Sequence, residues 1–403
     1  MTAPAAEGAG PTVDTPVPTV DRKLRLTWRK FALAIIGGAL LFAAFPPFDL
    51  GPVAWFALIP FFFVLTQARP TGGLVLGIIF GFTFMGLYAS YMLHYGVMAW
   101  LGSVGFQSLF FGLFGLIAAM CNKSAHPGLR ALAVAGAWTL LEMFRGGIGG
   151  LGFTVGNLGY TQYDQLPLVQ AASMIGHYGI GLLIGFVNAA MAQVVLAIAP
   201  GVFIRPRVNP RWFASMAAKA ALGSYVVAIL VVIWGALVMR FGEEPEEGEP
   251  IEVAAVQASL GDVEGTSVEQ ADERFGTYAA LSRTVPDDVE VIVWPETAVP
   301  VALNIDDSYS AQIADLAMEK SAWIVTGGYR VVEGRVYNTL FVFSPEGEMT
   351  DTYSKHILVP FGENVPWSDR FPWLRKFALR DVDFSPGEGP KLLSVAGHEA
   401  GPL

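Results

Sequence analysis

Seven apolar stretches occupy most of the chain between residues 31 and 239. They lie near residues 31–45, 53–66, 72–93, 101–121, 130–144, 168–199 and 216–239. Several approach the roughly 20 residues that a helix needs to cross the hydrocarbon core of a bilayer. Only 15% of the 403 residues are charged, against about 25% in soluble domains. The sequence therefore predicts a polytopic α-helical membrane domain with about seven spans.

Three of these stretches leave the number of spans open. The first two are short, and the turn PPFDLGP at residues 46–52 could join them as a shallow hairpin. The sixth stretch is long, but Gly176 and Gly179 interrupt its first part. Because glycine weakens a helix interior, we expect an entry segment there, followed by one span.

The charges divide the chain into two regions. Residues 1–240 contain 14 Lys+Arg and 6 Asp+Glu, whereas residues 241–403 contain 11 and 29, so the formal charges are +8 and −18. Such a contrast predicts a lipid-embedded part and an acidic, water-facing part. We expect a disordered cytoplasmic tail over 1–30, a transmembrane domain over 31–240, an acidic linker over 241–250 and a separate domain over 251–403.

The basic residues predict the orientation. With seven spans and a cytoplasmic N-terminus, only Arg145 and Arg240 up to residue 240 lie outside. Because basic residues concentrate on the cytoplasmic side, everything after Phe241 is expected outside the cytoplasm. The twelve inner residues are Arg22, Lys23, Arg25, Arg29, Lys30, Arg69, Lys123, Arg130, Arg205, Arg207, Arg211 and Lys219.

Few polar features lie within the apolar region. Glu142 and Arg145 are three residues apart, on one helical face; they could be an interfacial ion pair or functional charges. The glycine-rich run at residues 146–160 lacks the spacing of a phosphate loop and is interpreted as a flexible outer arm. Cys121 is the only cysteine and the five histidines are scattered, so neither a disulfide nor a metal site is predicted.

The acidic region alternates strand and helix patterns, which predicts a mixed α/β domain. A capping box at Thr266 and Glu269 opens the first helix. The predicted strands are residues 251–260, 289–294, 322–330, 335–345 and 349–355, and the predicted helices are 266–285 and 306–320.

Three charged residues near strand ends are candidates for a site. Glu296 follows the second strand in VIVWPETAVP. Trp294 and apolar neighbours are expected to desolvate its carboxyl group in part, which suits a general base. Lys355 follows the last strand and could stabilise an oxyanion. Glu363, in PFGENVP, could pair with that lysine. Each of the three could equally be an ordinary surface residue.

The order WPE and then YSKHILVPFGE strongly resembles the nitrilase (carbon-nitrogen hydrolase) superfamily, whose catalytic group is Glu, Lys and Cys. The segments FPPFDLGPVAWFALIPFF, GFTFMGLYASYMLHYG and AGAWTLLEMFRGG resemble the apolipoprotein N-acyltransferase family of the bacterial inner membrane. The resemblance covers nearly the whole chain from about residue 31. It implies an extracytoplasmic αββα domain after the membrane domain.

The resemblance also implies an activity. A cysteine thiolate would take an acyl chain from a phospholipid such as phosphatidylethanolamine and pass it to the N-terminal amine of a diacylglyceryl-cysteine apolipoprotein. Glu296 would be the base, Lys355 would stabilise the oxyanion and Glu363 would support them. Asn338, in VYNT, matches a substrate-binding position. The implied partners are phospholipid, apolipoprotein and membrane lipid, without a cofactor, a metal or nucleic acid.

One departure from the family concerns the nucleophile. The family cysteine lies in a CYE or CFE segment beyond FGE, whereas residues 241–403 contain no cysteine. Cys121 is predicted on the cytoplasmic side and cannot substitute. We therefore expect a domain truncated at its C-terminus and a chain that is inactive as given. A non-catalytic protein that binds lipoproteins or peptides stays open; a transporter is disfavoured because the spans lack an ion relay.

Overall fold

The structure, a computed structural model, describes residues 26–122, 124–148, 151–199, 208–242, 250–260, 268–378 and 383–402. The chain divides into two compact units, one of Met1–Gly147 with Phe153–Gly242 and one of Ile148–Gly152 with Glu243–Leu403. Several predictions fall wholly or mostly outside the described residues: the tail up to residue 25, linker residues 243–249, the capping-box residue Thr266 and the basic residues Arg22, Lys23, Arg25, Lys123, Arg205 and Arg207.

The first unit is helical. Its described helices are α1 (Trp28–Ala43), α2 (Ala54–Ala57), α3 (Ile59–Thr66), α4 (Pro70–Tyr88), α5 (Val97–Cys121), α6 (Pro127–Gly147), α7 (Leu166–Val169), α8 (Ala172–Ile198) and α9 (Pro210–Phe241). Every predicted apolar stretch contains a helix. Helix α1 begins at Trp28, inside the predicted tail.

Four of these helices, α4, α5, α8 and α9, are long and apolar enough to cross a membrane by length and composition. Seven spans were predicted, and the other three stretches do not meet this standard. Helix α1 has 16 residues, which reach about 24 Å at 1.5 Å per residue. The second stretch is a short apolar segment over Gly51–Thr66, and α6 carries three charged residues, Arg130, Glu142 and Arg145.

Small residues allow α4 and α5 to touch. A Cβ at Gly77 would lie 2.1 Å from the carbonyl oxygen of Phe111, and one at Gly115 would lie 2.1 Å from that of Gly73. Small residues at such positions let the backbones of membrane helices approach closely. In α8, Gly176 adopts φ 62° and ψ 176°, so the predicted break between an entry segment and a span is present.

Two buried charged side chains of α6 form hydrogen bonds with the segment that follows this helix. Glu142 and Arg145 are 4% and 2% exposed. Glu142 Oε1 accepts hydrogen bonds from Trp138 Nε1 at 2.9 Å and from Leu158 N at 2.7 Å, while Arg145 donates to Asn157 Oδ1 at 2.6 Å. Asn157 and Leu158 are fully buried, so the prediction of a flexible arm is wrong for these residues. Buried charges require partners, and this segment supplies them.

The second unit contains a five-stranded sheet in the order β1-β2-β3-β4-β5. The strands are β1 (Val253–Ala255), β2 (Val291–Val293), β3 (Trp323–Val332), β4 (Arg335–Phe343) and β5 (Met349–Ser354), with helices α10 (Val268–Arg283) and α11 (Asp307–Lys320). Both predicted helices and all five predicted strands are present. A hairpin of β6 (Leu393–Val395) and β7 (His398–Ala400) follows.

The sheet is covered on both faces. Ile292, Ile324 and Phe341 pack in one core with Tyr278 of α10 and Ile313 of α11. The second core is formed by Val291, Val325, Val342 and Tyr353 with Leu393 and Val395 of the hairpin. The middle of the sheet is therefore buried, whereas the edge strand β1 is largely exposed.

Strand direction determines where the site can lie. Strands β1, β2 and β3 are parallel, and β4 runs antiparallel to both β3 and β5. The start of β4 therefore lies at the same end of the sheet as the carboxyl ends of β2, β3 and β5. Functional groups of open α/β sheets gather at this end.

Candidate active site

Glu296 lies just beyond the carboxyl end of β2. Trp294 extends the pairing of β2 with β3, because its N–H donates to Val325 O at 2.8 Å. The chain then turns at Pro295. Trp294 is 3% exposed and stacks on Tyr278 in the core, whereas the Glu296 side chain is 59% exposed. The expectation that Trp294 and apolar neighbours partly desolvate this carboxylate is therefore wrong: the indole is part of the core, and the carboxylate is largely exposed.

Lys355 follows β5 directly and is held by backbone hydrogen bonds on both sides. Its N–H donates to Asn338 O at 2.8 Å, and its carbonyl accepts from Gly387 N at 2.9 Å. Its Nζ lies 3.1 Å from Glu296 Oε1 and 3.0 Å from Glu363 Oε1. The ammonium therefore joins two carboxylates that are 67 positions apart in the sequence.

Glu363 is the most enclosed of the three charged site residues. Its side chain is 8% exposed, and its Oε2 accepts a hydrogen bond from Val359 N at 2.8 Å. Its own N–H donates to Val359 O at 2.8 Å, and its carbonyl accepts from Phe384 N at 2.7 Å. This turn fixes the carboxylate before any substrate arrives.

Asn338 lies in β4, at the start that faces the same end of the sheet. Its Nδ2 donates to Glu296 Oε1 at 2.5 Å and to Glu363 Oε1 at 3.0 Å. The structure thus brings all four predicted site residues together: Glu296, Lys355, Glu363 and Asn338. The Asn338 amide bridges the two carboxylates, a position that its predicted role in substrate binding did not anticipate.

The contacts shift the pKa values of two groups. Burial lowers the pKa of Lys355, but its hydrogen bonds and charge contacts with Glu363 and Glu296 outweigh burial, and the net shift is upward. Burial raises the pKa of Glu363, but the Val359 N–H, Lys355 and Asn338 outweigh it, and the net shift is downward. At neutral pH the site therefore holds a cationic Lys355 and an anionic Glu363.

The lowered pKa of Glu363 predicts a pH-dependent contribution to stability. A carboxyl whose folded pKa is below its unfolded value, about 4.3 for Glu, stabilises the fold above that value and loses the contribution as the pH falls through the folded pKa. Wild type should therefore unfold at a higher temperature than Glu363→Gln at pH 7, and the difference should shrink below about pH 4. Thermal unfolding of both proteins in one detergent measures it; a difference that grows on acidification would contradict it.

The chemistry of the group follows from its charges. An exposed carboxylate that can accept a proton lies beside an ammonium that can stabilise a developing negative oxygen. Within the described residues, no group of three or more His, Cys, Asp and Glu is placed to hold a metal ion. The arrangement supports acid–base chemistry with an oxyanion intermediate.

Two family models match the chain: the N-terminal domain of apolipoprotein N-acyltransferase at residues 37–190 and the carbon-nitrogen hydrolase at residues 252–388. The apolipoprotein N-acyltransferase of Pseudomonas aeruginosa (strain LESB58) is 31% identical over 397 residues, covering 93% of this chain and 73% of that protein. The chain belongs to the apolipoprotein N-acyltransferase family. The apolipoprotein N-acyltransferase of Geobacter metallireducens is 28% identical over 382 residues, covering 89% of this chain and 69% of that protein.

The family assignment confirms the resemblance found in the sequence. An N-terminal region of apolar helices precedes a carbon-nitrogen hydrolase domain, and the bacterial relatives carry the name of an acyltransferase. The apolar helices indicate a membrane protein. Among solved structures, an amidase from Nesterenkonia sp. is 15% identical; the match covers 38% of this chain and 54% of the amidase, with a TM-score of 0.28.

Proposed function

We propose that the protein is a phospholipid:apolipoprotein N-acyltransferase that works through a cysteine thioester. The observation that carries the proposal is the Lys355 ammonium held between Glu296 and Glu363, in a chain of this family. Phosphatidylethanolamine-like lipid is the proposed acyl donor. The N-terminal amine of a diacylglyceryl-cysteine apolipoprotein is the proposed acceptor.

In the first step a thiol attacks the ester carbonyl of the phospholipid. Glu296 takes the thiol proton, and the carbonyl oxygen becomes an oxyanion that the Lys355 ammonium stabilises. The carbon–oxygen bond of the ester then breaks, and the proton passes from Glu296 to the departing oxygen. The products are an acyl thioester and a lysophospholipid.

In the second step the apolipoprotein amine attacks the thioester. Glu296 accepts a proton from the amine, and Lys355 again lies beside the developing oxyanion. The carbon–sulfur bond breaks, an amide forms and the thiolate regains a proton. Glu363 and Asn338 hold Lys355 and Glu296 in position, which keeps the base and the oxyanion donor at one point.

Cys121, the only cysteine among residues 1–403, is not the nucleophile that we propose. Cys121 ends helix α5 of the first unit, at a point predicted on the cytoplasmic side, and residues 241–403 contain no cysteine. We therefore propose that residues 1–403, expressed alone, form no thioester at this site, because the base and the ammonium have no thiol to act on.

We also propose the location of the protein. The excess of basic residues on the predicted inner side supports a multi-pass protein of a bacterial inner membrane with a cytoplasmic N-terminus. The acidic second unit then lies outside the cytoplasm.

Acyl transfer is tested with the protein expressed from its own gene. Purified protein is added to phosphatidylethanolamine vesicles with a diacylglyceryl-cysteine peptide, and mass spectrometry follows both products. We expect equal amounts of N-acylated peptide and lysophospholipid. The absence of cysteine from residues 241–403 favours one other function, the binding of lipoproteins or peptides. Peptide that co-purifies with the protein but is never acylated would support binding and overturn the acyltransferase.

A further inference from the structure

The segment that carries Glu296 is a bulge beside strand β3. Trp294 N donates to Val325 O at 2.8 Å, and Val299 N donates to Gly327 O at 3.2 Å. The two acceptors are two residues apart on β3, whereas the two donors are five residues apart. The extra residues protrude from the pairing as the Glu296 bulge, defined here as residues 295–298.

Gly327 lies directly under this bulge. A Cβ at Gly327 would be 2.5 Å from Thr297 N, 2.8 Å from Glu296 Cα and 2.8 Å from Pro295 O. All three are main-chain atoms, so no side-chain rotation can relieve these contacts. The bulge can occupy its position only because residue 327 has no side chain.

The bulge has little freedom to adjust. Thr297 has φ 55°, a left-handed conformation that is uncommon and costly for a β-branched residue. Glu296 Oε1 meets Lys355 Nζ at 3.1 Å and Asn338 Nδ2 at 2.5 Å. Because hydrogen bonds weaken steeply beyond about 3.5 Å, a backbone shift of about 1 Å would separate the carboxylate from Lys355.

We propose that Gly327 is a positioning residue for the Glu296 carboxylate, an inference that rests on the proposed function for its kinetic part. The absence of a Cβ at residue 327 sets the height of the bulge over β3. That height determines whether Glu296 reaches Lys355.

The adjacent glycine offers a matched control. Gly327 and Gly328 are both buried. A Cβ at Gly328 would come closest to the side chain of Leu303, 2.8 Å from Cδ1 and 3.1 Å from Cγ, and would lie 3.1 Å from Val299 O. Gly328→Ala therefore perturbs packing in the same strand without pressing on Glu296.

The test compares Gly327→Ala with Gly328→Ala in the protein expressed from its own gene. Cryo-electron microscopy of Gly327→Ala should find the Glu296 carboxylate out of hydrogen-bonding reach of Lys355, and Gly328→Ala should keep the contact. The kcat of acyl transfer should fall on the order of 10²-fold in Gly327→Ala, the loss that a misplacement of about 1 Å can cause, with little change in KM. An intact contact or a normal kcat in Gly327→Ala would overturn the proposal.

The test remains decisive if Gly327→Ala misfolds or if wild type is inactive. Should Gly327→Ala fail to fold, the same measurements are made on it in a Thr297→Gly background, where glycine lets the bulge move away from the added methyl group. Should wild type have no acyltransferase activity, the proposed function fails, while the position of Glu296 in the two structures still decides the role of Gly327.

Discussion

Glu296→Gln is expected to reduce acyl transfer about 10³-fold, within the range of 10² to 10⁴ that a general base contributes. Glutamine retains an oxygen that can accept from Lys355 Nζ and Asn338 Nδ2, which lie 3.1 Å and 2.5 Å from Glu296 Oε1 in wild type. What it loses is the ability to take a proton from the thiol or the amine. Lysophospholipid release from phosphatidylethanolamine vesicles measures the rate.

The matched control is Glu333→Gln. Glu333 is an exposed acid in the turn between β3 and β4 of the same unit, so this variant should keep the wild-type rate. Thermal unfolding of both variants checks that they remain folded. A normal rate in Glu296→Gln would remove Glu296 from the proposed mechanism.

Lys355→Ala is expected to reduce the rate by about 10² to 10³, as removal of an oxyanion donor does in other enzymes. It should also lower stability, because Glu296 and Glu363 would be left to face each other with only the Asn338 amide between them. Lys355→Arg should recover part of the stability and little of the rate, since a guanidinium keeps the charge but places its donors differently. Kinetics and thermal unfolding on the same samples measure both effects.

Lys391→Ala is the control that shows whether the effects of Lys355→Ala on rate and stability would follow from the loss of any ion pair in this unit. Lys391 pairs with Asp351 of β5 and donates to Thr352 O at 3.1 Å, and neither partner is one of the four site residues. We expect near-normal kinetics and a small loss of stability, as is usual for exposed pairs. Equal losses of rate in Lys391→Ala and Lys355→Ala would mean that the rate reports folding and not oxyanion stabilisation.

Local sequence patterns predicted much of the second unit. Strands β3 and β4 and helix α11 lie within a few residues of their predicted bounds, because each has a long, uniform pattern. Strands β1 and β2 have three residues each, fewer than their apolar runs suggested. The second run ends at Trp294, which still pairs with β3, and the Glu296 bulge that follows is a tertiary feature that periodicity does not report.

The first unit was predicted less well because hydropathy detects apolar stretches but not helix lengths. Helix α9 covers Pro210–Phe241, for example, although the apolar stretch that predicted it covers only residues 216–239. Glycine content predicted a free arm, but Glu142 and Arg145 bind Asn157 and Leu158 in the bundle. The partners of a buried charge depend on which helices meet, and the sequence does not contain that information locally.

The residues of the candidate site were likewise predicted only in part from the sequence. Glu296, Lys355 and Glu363 were found from strand ends and the family resemblance. The bridging position of Asn338 depends on the antiparallel register of β4 with β5, through which Lys355 N meets Asn338 O. The sequence analysis did not single out Gly327 and Gly328. Glycine inside a strand can mark a close approach of another backbone, but the segment that approaches Gly327 is evident only in the structure.

The most direct measurement is the acyl adduct itself. Protein expressed from its own gene is incubated with phosphatidylethanolamine, and its intact mass is recorded before and after hydroxylamine, which cleaves thioesters. We predict a hydroxylamine-sensitive acyl adduct in the protein expressed from its own gene and in its Cys121→Ala variant, and none in Glu296→Gln or in residues 1–403 expressed alone. An adduct that persists in Glu296→Gln, or one that disappears in Cys121→Ala, would contradict an acyl-transfer site built from Glu296 and Lys355.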